Sequence, residues 1–364
     1  MTALPTKNGR PLSTGILLKR NWRQNGPSGS GDSCPEIRGP CLFMRETPYG
    51  QKEAPLLKGG RWWFALLCIG LSACTRGEPV GLPAGTVFCS GPKHLSETAL
   101  DQGKLRRVLQ PPPIPGAQWL SPAENKPAPY GAFPVAGITS HHLLVSWYID
   151  RFFADLKELR KKPAPPIHTF IVVSPKHFMQ GKEPIALSKV PWETGLGRVT
   201  VNLSLAEGIR TSLGIPWDPD SFAGEHGIGI PVAFMTKHFP RARMVPIVLT
   251  TPSFRMANLT TLAETIGREM ARDPGIFLLI SSDFSHQGNL ELTQQRDAQS
   301  REALTYLTPA RALKVCCDNN AGMILLSLVL EQLQRGKSVI AAHTSGYEVV
   351  GITEDITSYF FCYF

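Results

Sequence analysis

The 364-residue chain is long enough for one large domain or two ordinary ones, and its 42% apolar and 18% charged residues can build a hydrophobic core. This composition excludes a chain that is disordered throughout. No apolar run reaches the roughly 18 residues that a membrane-spanning helix needs, so a polytopic membrane protein is excluded as well.

The net charge of +9 is unevenly distributed along the chain. Residues 1–73 contain 10 Lys/Arg and 4 Asp/Glu, which gives +6, so residues 74–364 together carry only +3. A globular part this close to neutral does not have the basic surface that nucleic-acid binding requires. We therefore expect no nucleic acid among the partners.

A nine-residue apolar segment, residues 62–70, follows a basic flank and is too short to span a bilayer. The next four residues, Leu71-Ser72-Ala73-Cys74, match the lipobox of bacterial lipoproteins, in which the cysteine thiol accepts a diacylglycerol. A basic flank, an apolar core and a lipobox in this order are typical of a lipoprotein signal peptide. We therefore predict that the mature protein is tethered through Cys74 to the lipid bilayer of the cell envelope. The alternative is a short buried helix in a cytoplasmic protein.

The position of this signal predicts how the chain is organised. A start at Met44 makes residues 44–73 a signal peptide of ordinary length, so we interpret residues 1–43 as disordered or as an over-extended start. Residues 74–130 are rich in proline and are predicted to form an extended tether. The folded domain is predicted over residues 131–364.

Within the domain, apolar spacings of three to four predict helices, and short β-branched apolar runs predict buried strands. Strands are predicted at 134–138, 167–174, 244–249, 275–280, 338–342, 349–352 and 358–364, with one more at 85–89 in the tether. Helices are predicted at 143–159, 259–270, 290–307 and 323–333, with one more near 96–109. Strands that alternate with helices predict an α/β fold, a three-layer αβα domain with a largely parallel central sheet.

Polar loops follow several predicted strands, at the edge where parallel sheets hold their ligands. Five histidines lie in or near such loops; they are His141, His142, His177, His226 and His286. Glu225 and His226 begin a predicted loop of sequence Glu-His-Gly-Ile-Gly-Ile, and a Cys-Cys-Asp-Asn-Asn segment precedes the last long helix. Taken singly, each histidine could equally be an ordinary surface or hydrogen-bonded residue with no role in metal binding. Together with a thiolate, imidazoles suit a borderline metal such as Fe, Cu or Zn.

Several of these segments, in order over residues 131–364, resemble the MEMO family, also called AmmeMemoRadiSam system protein B. The matching segments are Ile138-Thr139-Ser140-His141-His142-Leu143-Leu144, Ser174-Pro175-Lys176-His177, Glu225-His226-Gly227-Ile228, Ser281-Ser282-Asp283-Phe284-Ser285-His286, the Cys-Asp-Asn region and Thr344-Ser345-Gly346-Tyr347. The Ser-Ser-Asp-Phe-Ser-His motif, followed by a cysteine before a helix, is the most specific of them.

The resemblance implies a fold like that of class III extradiol (LigB-type) dioxygenases and a metal site of two histidines and one cysteine. Matched by motif, the ligands would be His141, His177 and Cys317, with Cys316 as the alternative thiolate. The family often has proline where this chain has Ser140. We expect iron or copper rather than zinc as the metal.

The resemblance also implies candidate catalytic residues and partners. His226, Asp283 and His286 would line the same pocket as orienting or proton-moving groups. The family name reflects an association with an AMMECR-type protein and a radical SAM protein, which are therefore the expected protein partners.

The sequence thus predicts a membrane-tethered, MEMO-like metal-binding protein with redox activity on an unidentified substrate; as an enzyme it would be a metal-dependent oxidoreductase. Two alternatives remain open, a non-enzymatic peptide- or metal-binding module and an extradiol-type ring-cleaving dioxygenase. A thiolate ligand counts against the dioxygenase, because that chemistry usually uses two histidines and one carboxylate.

Overall fold

The structure of the protein, a computed structural model, describes residues 110–111, 113–120, 133–161, 163–178, 181–250 and 257–364, and the backbone of Cys89–Ser90. The predicted signal peptide, the Met44 start, Cys74 and the predicted helix near 96–109 lie outside the described residues. No helix in the described ranges combines the length and the apolar character needed to cross a membrane.

The described residues contain ten strands and eight α-helices. The strands are β1 (Cys89–Ser90), β2 (Ala136–Thr139), β3 (Thr169–Pro175), β4 (Ile185–Leu187), β5 (Trp192–Thr194), β6 (Gly197–Val199), β7 (Arg243–Leu249), β8 (Ile276–Ser281), β9 (Val339–Ser345) and β10 (Ser358–Tyr363). The helices are α1 (Ser146–Leu159), α2 (Leu203–Leu213), α3 (His226–His238), α4 (Ala257–Arg272), α5 (Leu290–Thr305), α6 (Pro309–Ala312), α7 (Asn320–Gln332) and α8 (Gly346–Val350).

Seven of these strands form the central sheet, in the order β4-β7-β3-β8-β2-β10-β9. The four strands in the middle, β7, β3, β8 and β2, are parallel to one another. Strand β4 at one edge and strands β10 and β9 at the other pair antiparallel. The parallel centre places the carboxyl ends of β3, β8 and β2 side by side, as the sequence predicted.

Helices cover both faces of this sheet, which confirms the three-layer αβα fold. Ile171 and Val173 of β3 pack into a core formed with α2, α4 and α7, whereas Phe170 and Val172 pack into a second core formed with α1 and α3. Successive residues of a strand point to opposite faces. Because both faces are buried, the strands are apolar throughout rather than alternating.

The segment that begins at His226 is a helix, α3, where the sequence predicted a loop. Two glycines and Pro231 within it lower its intrinsic helix propensity. The helix forms because Ile228–Thr236 is buried and because the Glu225 carboxylate caps its start, accepting the Gly227 N–H at 2.9 Å. Tertiary burial and the cap together outweigh the propensity.

The predicted strand at 349–352 is also wrong, because residues Gly346–Val350 form the short helix α8. The Ser345 side chain caps this helix by accepting the Glu348 N–H, and Gly351 ends it with a left-handed φ of 74°. Val350 and Ile352 are exposed, so their β-branched side chains add no sheet contacts that could favour a strand.

The short strands β4 to β6 and helix α2 were not predicted either. The sequence of helix α2 has the usual residues at its ends: Asn202 caps its start, and Gly214 ends it with a φ of 65°. Its three buried residues, Ala206, Ile209 and Leu213, have helical spacing.

One buried amide joins the carboxyl ends of two central strands to the start of α7. The Asn319 Nδ2 group donates to the carbonyl oxygens of Val173 in β3, at 3.3 Å, and Ser281 in β8, at 2.9 Å. The Asn319 Oδ1 atom accepts the Gly322 N–H at 2.9 Å and so caps the helix. This brace fixes the residues just before α7 against the strand ends.

Replacing Asn319 with Ala should lower the free energy of unfolding by about 2 kcal/mol, because two buried carbonyls and one helix N–H lose their partner. Urea denaturation followed by circular dichroism measures this loss. The matched control is Asn289→Ala, which removes only the exposed cap of α5. A loss for Asn319→Ala no larger than that of the control would contradict the brace.

Candidate metal centre

Three imidazole rings meet at the carboxyl edge of the parallel strands. His141 follows β2, His177 follows β3, and His226 is the first residue of α3. The ring centroids are 4.8 Å apart for His141 and His177, 4.0 Å for His177 and His226, and 5.3 Å for His141 and His226. One nitrogen of each ring lies within 4.8 Å of the others, close enough for a shared metal ion.

His141 is fixed at the floor of this site. Its Nδ1 atom hydrogen-bonds to the Ser281 hydroxyl at 2.9 Å, and its backbone N–H donates to the Asp283 carboxylate at 3.3 Å. The side chain is only 2% exposed. Since Nδ1 is engaged with Ser281, Nε2 is the atom that remains to face the site.

His177 is fixed by the Glu225 carboxylate. The Nδ1–H donates to Glu225 Oε1 at 2.6 Å, and the His177 backbone N–H donates to Oε2 at 3.0 Å. Glu225 has a lowered pKa: burial alone would raise it, but the contacts with His177 outweigh burial. An ionised carboxylate can only accept, so Nδ1 carries a proton and Nε2 is the nitrogen that faces the site.

Gly227 supplies the room that this contact needs. A Cβ atom at this position would lie 2.1 Å from the Ser174 hydroxyl, 3.1 Å from Glu225 Oε1 and 3.2 Å from His177 Cε1. Glycine therefore allows the start of α3 to approach the end of β3 closely enough for Glu225 to hold His177.

Asp318, which the sequence did not single out, lies between the two buried rings. Its Oδ2 atom is 3.1 Å from His141 Nε2 and 3.7 Å from His177 Nε2. Within the described part of the chain, this buried oxygen makes no hydrogen bond of regular geometry, and its charge is met by the two imidazoles, whose pKa values it raises. A buried carboxylate oxygen that faces two imidazole nitrogens is an arrangement that a bound cation would suit, because the cation could replace the imidazole protons.

Cys317 lies next to this cluster in the chain but is not part of it. Neither of the two groups of mutually close donor atoms in the described residues includes Cys317; they are His141, His177 and His226, and His141, Asp283 and Asp318. The Cys317 thiol contacts Asn320 Oδ1 at 3.8 Å, and burial together with the Asp318 carboxylate raises its pKa. Cys317 or Cys316 as the ligand stays a prediction.

The structure places Asp283 in the second of these groups. Asp283 Oδ1 accepts the Ser140 hydroxyl at 2.5 Å, and Oδ2 lies 3.7 Å from His141 Nε2. His286 is exposed at the end of the same loop, and its Nδ1–H donates to the Phe284 carbonyl at 2.5 Å. His142 belongs to neither group in the described residues; its Nδ1 atom accepts the Leu144 N–H at 3.2 Å, and its ring contacts Tyr359.

Carboxylates and neighbouring imidazoles set the protonation of the three rings. Burial lowers the pKa of His141 and His177, but facing carboxylates outweigh it, raising the pKa of His141 above its ordinary value and that of His177 to about 9. Burial and the two neighbouring rings lower the pKa of His226 to about 4. At neutral pH His177 is therefore protonated in the metal-free protein, and His226 is a neutral base.

Solvent reaches the site from the side of His226. The exposed fraction of the side chain rises from 2% in His141 to 21% in His177 and 42% in His226. Phe178, which is also exposed, lies beside His226 with a ring separation of 5.9 Å. A ligand that enters here would meet His226 first and the buried His141 last.

Comparison with known proteins identifies the family. Residues 152–360, 209 of the 364 residues, match the family model described as Memo-like protein. The chain belongs to the Memo family. Its matched span includes His177, His226, Asp283, His286 and Cys317, whereas His141 precedes it.

Archaeal relatives of the chain carry the same family name. It is 26% identical over 197 residues to a MEMO1 family protein of Pyrobaculum arsenaticum, which covers 52% of this chain and 69% of that protein. A MEMO1 family protein of Caldivirga maquilingensis is 26% identical over 201 residues, 50% of this chain and 69% of that protein. The relation to LigB-type dioxygenases stays a prediction.

In the metal-free protein, we expect the His177 imidazole to titrate near pH 9, and Glu225→Gln to lower that pKa by removing a carboxylate partner. The raised pKa stabilises the metal-free fold fully below pH 6.5, and this stabilisation is lost as the pH rises through 9. Imidazole NMR shifts measure the titration. A His177 pKa at or below 6.5 in the chelator-treated protein would contradict this account of the site.

Proposed function

We propose that this Memo-family protein binds iron or copper through Nε2 of His141 and Nε2 of His177, and that the ion serves redox chemistry on a substrate still to be identified. The observation that carries the proposal is the arrangement of the two rings. Each Nδ1 is engaged by a neighbouring side chain, and each Nε2 faces the same buried carboxylate oxygen, Oδ2 of Asp318. In metal-binding histidines, the ring nitrogen that does not bind the metal typically makes such a hydrogen bond.

The third donor would come from the segment that immediately precedes α7. This segment holds both Cys317, to which the family resemblance points, and Asp318. Iron and copper both change oxidation state readily, and this is the chemistry that the ion would supply when bound. The protein contributes a site that is buried at His141 and open to solvent at His226.

The remaining polar residues would handle protons. His226 is neutral at pH 7 and partly exposed, so it can accept a proton from a ligand that enters at its side. His286 has Nδ1 engaged with a carbonyl, which leaves Nε2 as an acceptor. Asp283, held by the Ser140 hydroxyl and the His141 N–H, would orient His141.

For anchoring and partners, the proposal rests on the sequence alone. Lipidation of Cys74 would hold the domain at the membrane outside the cytoplasm, and a cytosolic radical SAM partner would then be hard to defend. A cytoplasmic location would instead allow the AMMECR-type and radical SAM proteins as partners. An intact chain through residues 62–74, found by mass spectrometry of the native protein, would contradict the lipid anchor.

Alanine at His177 should remove the metal from the full-length protein, with binding at least tenfold weaker than in the wild type, because one ligand atom is lost. Metal content after dialysis, measured by plasma mass spectrometry, tests this. The matched control is His168→Ala, which breaks a similar histidine–carboxylate pair, with Asp273, in a half-exposed position away from the site. Equal metal in His177→Ala and wild type would refute the proposed site.

The Asp318 carboxylate favours a second candidate function, an extradiol-type ring-cleaving dioxygenase. Two imidazoles and one carboxylate around open positions are the donor set that non-haem Fe(II) oxygenases use. Such an enzyme should consume oxygen when the iron-loaded protein is mixed with a catechol, as an oxygen electrode would record. Metal binding without oxygen uptake would exclude this candidate and favour the binding module.

A further inference from the structure

We infer that Asp318, rather than Cys317, supplies the third ligand atom of the metal site, so that this chain binds its ion through two imidazoles and a carboxylate. The inference rests on the proposed metal-binding function and specifies its donor set. It departs from the two-histidine, one-cysteine pattern that the family resemblance implies.

The Asp318 carboxylate is held in place through one of its two oxygens. Its Oδ1 atom accepts the Ser282 hydroxyl at 2.9 Å and the Asp283 N–H at 3.1 Å. The Asp318 backbone N–H donates to the Asp283 carbonyl at 3.0 Å, and the neighbouring Asn319 is tied to the ends of β3 and β8. These contacts orient the carboxylate without using Oδ2.

The second oxygen points to the site and faces the two buried imidazoles. Asp318 Oδ2 is buried, accepts no hydrogen bond within the described residues, and faces Nε2 of His141 and of His177 at 3.1 and 3.7 Å. In the metal-free protein the two imidazoles compensate this carboxylate by holding protons, and a metal ion would take the place of those protons. A cation between these three atoms would satisfy them together.

Cys317 does not compete for this position. Its thiol contacts Asn320 Oδ1 at 3.8 Å, while the Asn320 amide donates to the Cys317 carbonyl at 3.1 Å. In the described residues, the Cys317 sulfur belongs to neither of the groups of close donor atoms, whereas Asp318 belongs to one of them. The Asp318 carboxylate therefore lies against the imidazoles, whereas no group of close donor atoms in the described residues includes the thiol one residue earlier.

This donor set has a consequence for the choice of metal. Carboxylate and imidazole ligands suit Fe(II), whereas thiolate ligands favour Cu(I) and Zn(II). With Asp318 as the ligand, the site should select Fe(II) over Cu(I), which narrows the pair of metals that the sequence suggested.

Loading the full-length protein with Co(II) distinguishes the two ligands, because a cobalt–thiolate bond gives an intense near-ultraviolet charge-transfer band and a carboxylate does not. We expect no such band in the wild type, at least tenfold weaker Co(II) binding in Asp318→Asn, and affinity within about threefold of wild type in Cys317→Ser. The matched carboxylate control is Asp355→Asn, on an exposed loop.

The outcomes separate this inference from the function on which it rests. A charge-transfer band in the wild type that disappears in Cys317→Ser, or unchanged Co(II) affinity in Asp318→Asn, would overturn Asp318 as ligand while leaving a metal site. Unchanged Co(II) binding in His177→Ala would instead remove the metal site, and this inference with it. The wild-type spectrum decides the thiolate question even if Asp318→Asn fails to fold.

Discussion

The candidate site depends on the buried Asn319 side chain, which ties the start of α7 to the ends of β3 and β8. Parallel strands bring their carboxyl ends together, but they do not bring a helix from elsewhere in the chain to that edge. The three hydrogen bonds of one amide do so, and they leave the preceding residue, Asp318, between two imidazoles. The parallel strands thus position His141 and His177, and the hydrogen bonds of Asn319 position the Asp318 carboxylate.

Charge balance around the two buried rings explains why the same residues serve as hydrogen-bond partners and as candidate ligands. Glu225, Asp283 and Asp318 are carboxylates packed against His141 and His177, and in the metal-free protein the imidazoles compensate them by holding protons at raised pKa values. A metal ion would take over that compensation and displace the protons. The carboxylates that raise the pKa values are therefore the same groups that would attract a cation.

Much of this arrangement could be predicted from the sequence, for a physical reason. The buried strands are continuous apolar runs, and polar residues directly after them must lie at one edge, which is how His141, His177 and Asp283 were found. Asp318 and Glu225 were not singled out, because an acidic residue in a polar loop has no pattern that distinguishes a ligand from a solvated side chain. Helix α3 was missed because its stability comes from burial and a cap, whereas its glycines and Pro231 favour a loop.

The central claim, that His141 and His177 hold a metal ion at the carboxyl edge of the sheet, is tested most directly by anomalous diffraction. Crystals of the iron-loaded protein, measured on both sides of the iron absorption edge, would show where the ion lies. We expect one strong anomalous peak within bonding distance, about 2.0–2.2 Å, of Nε2 of both histidines. A fully occupied peak elsewhere, with the two Nε2 atoms free of metal, would contradict the account.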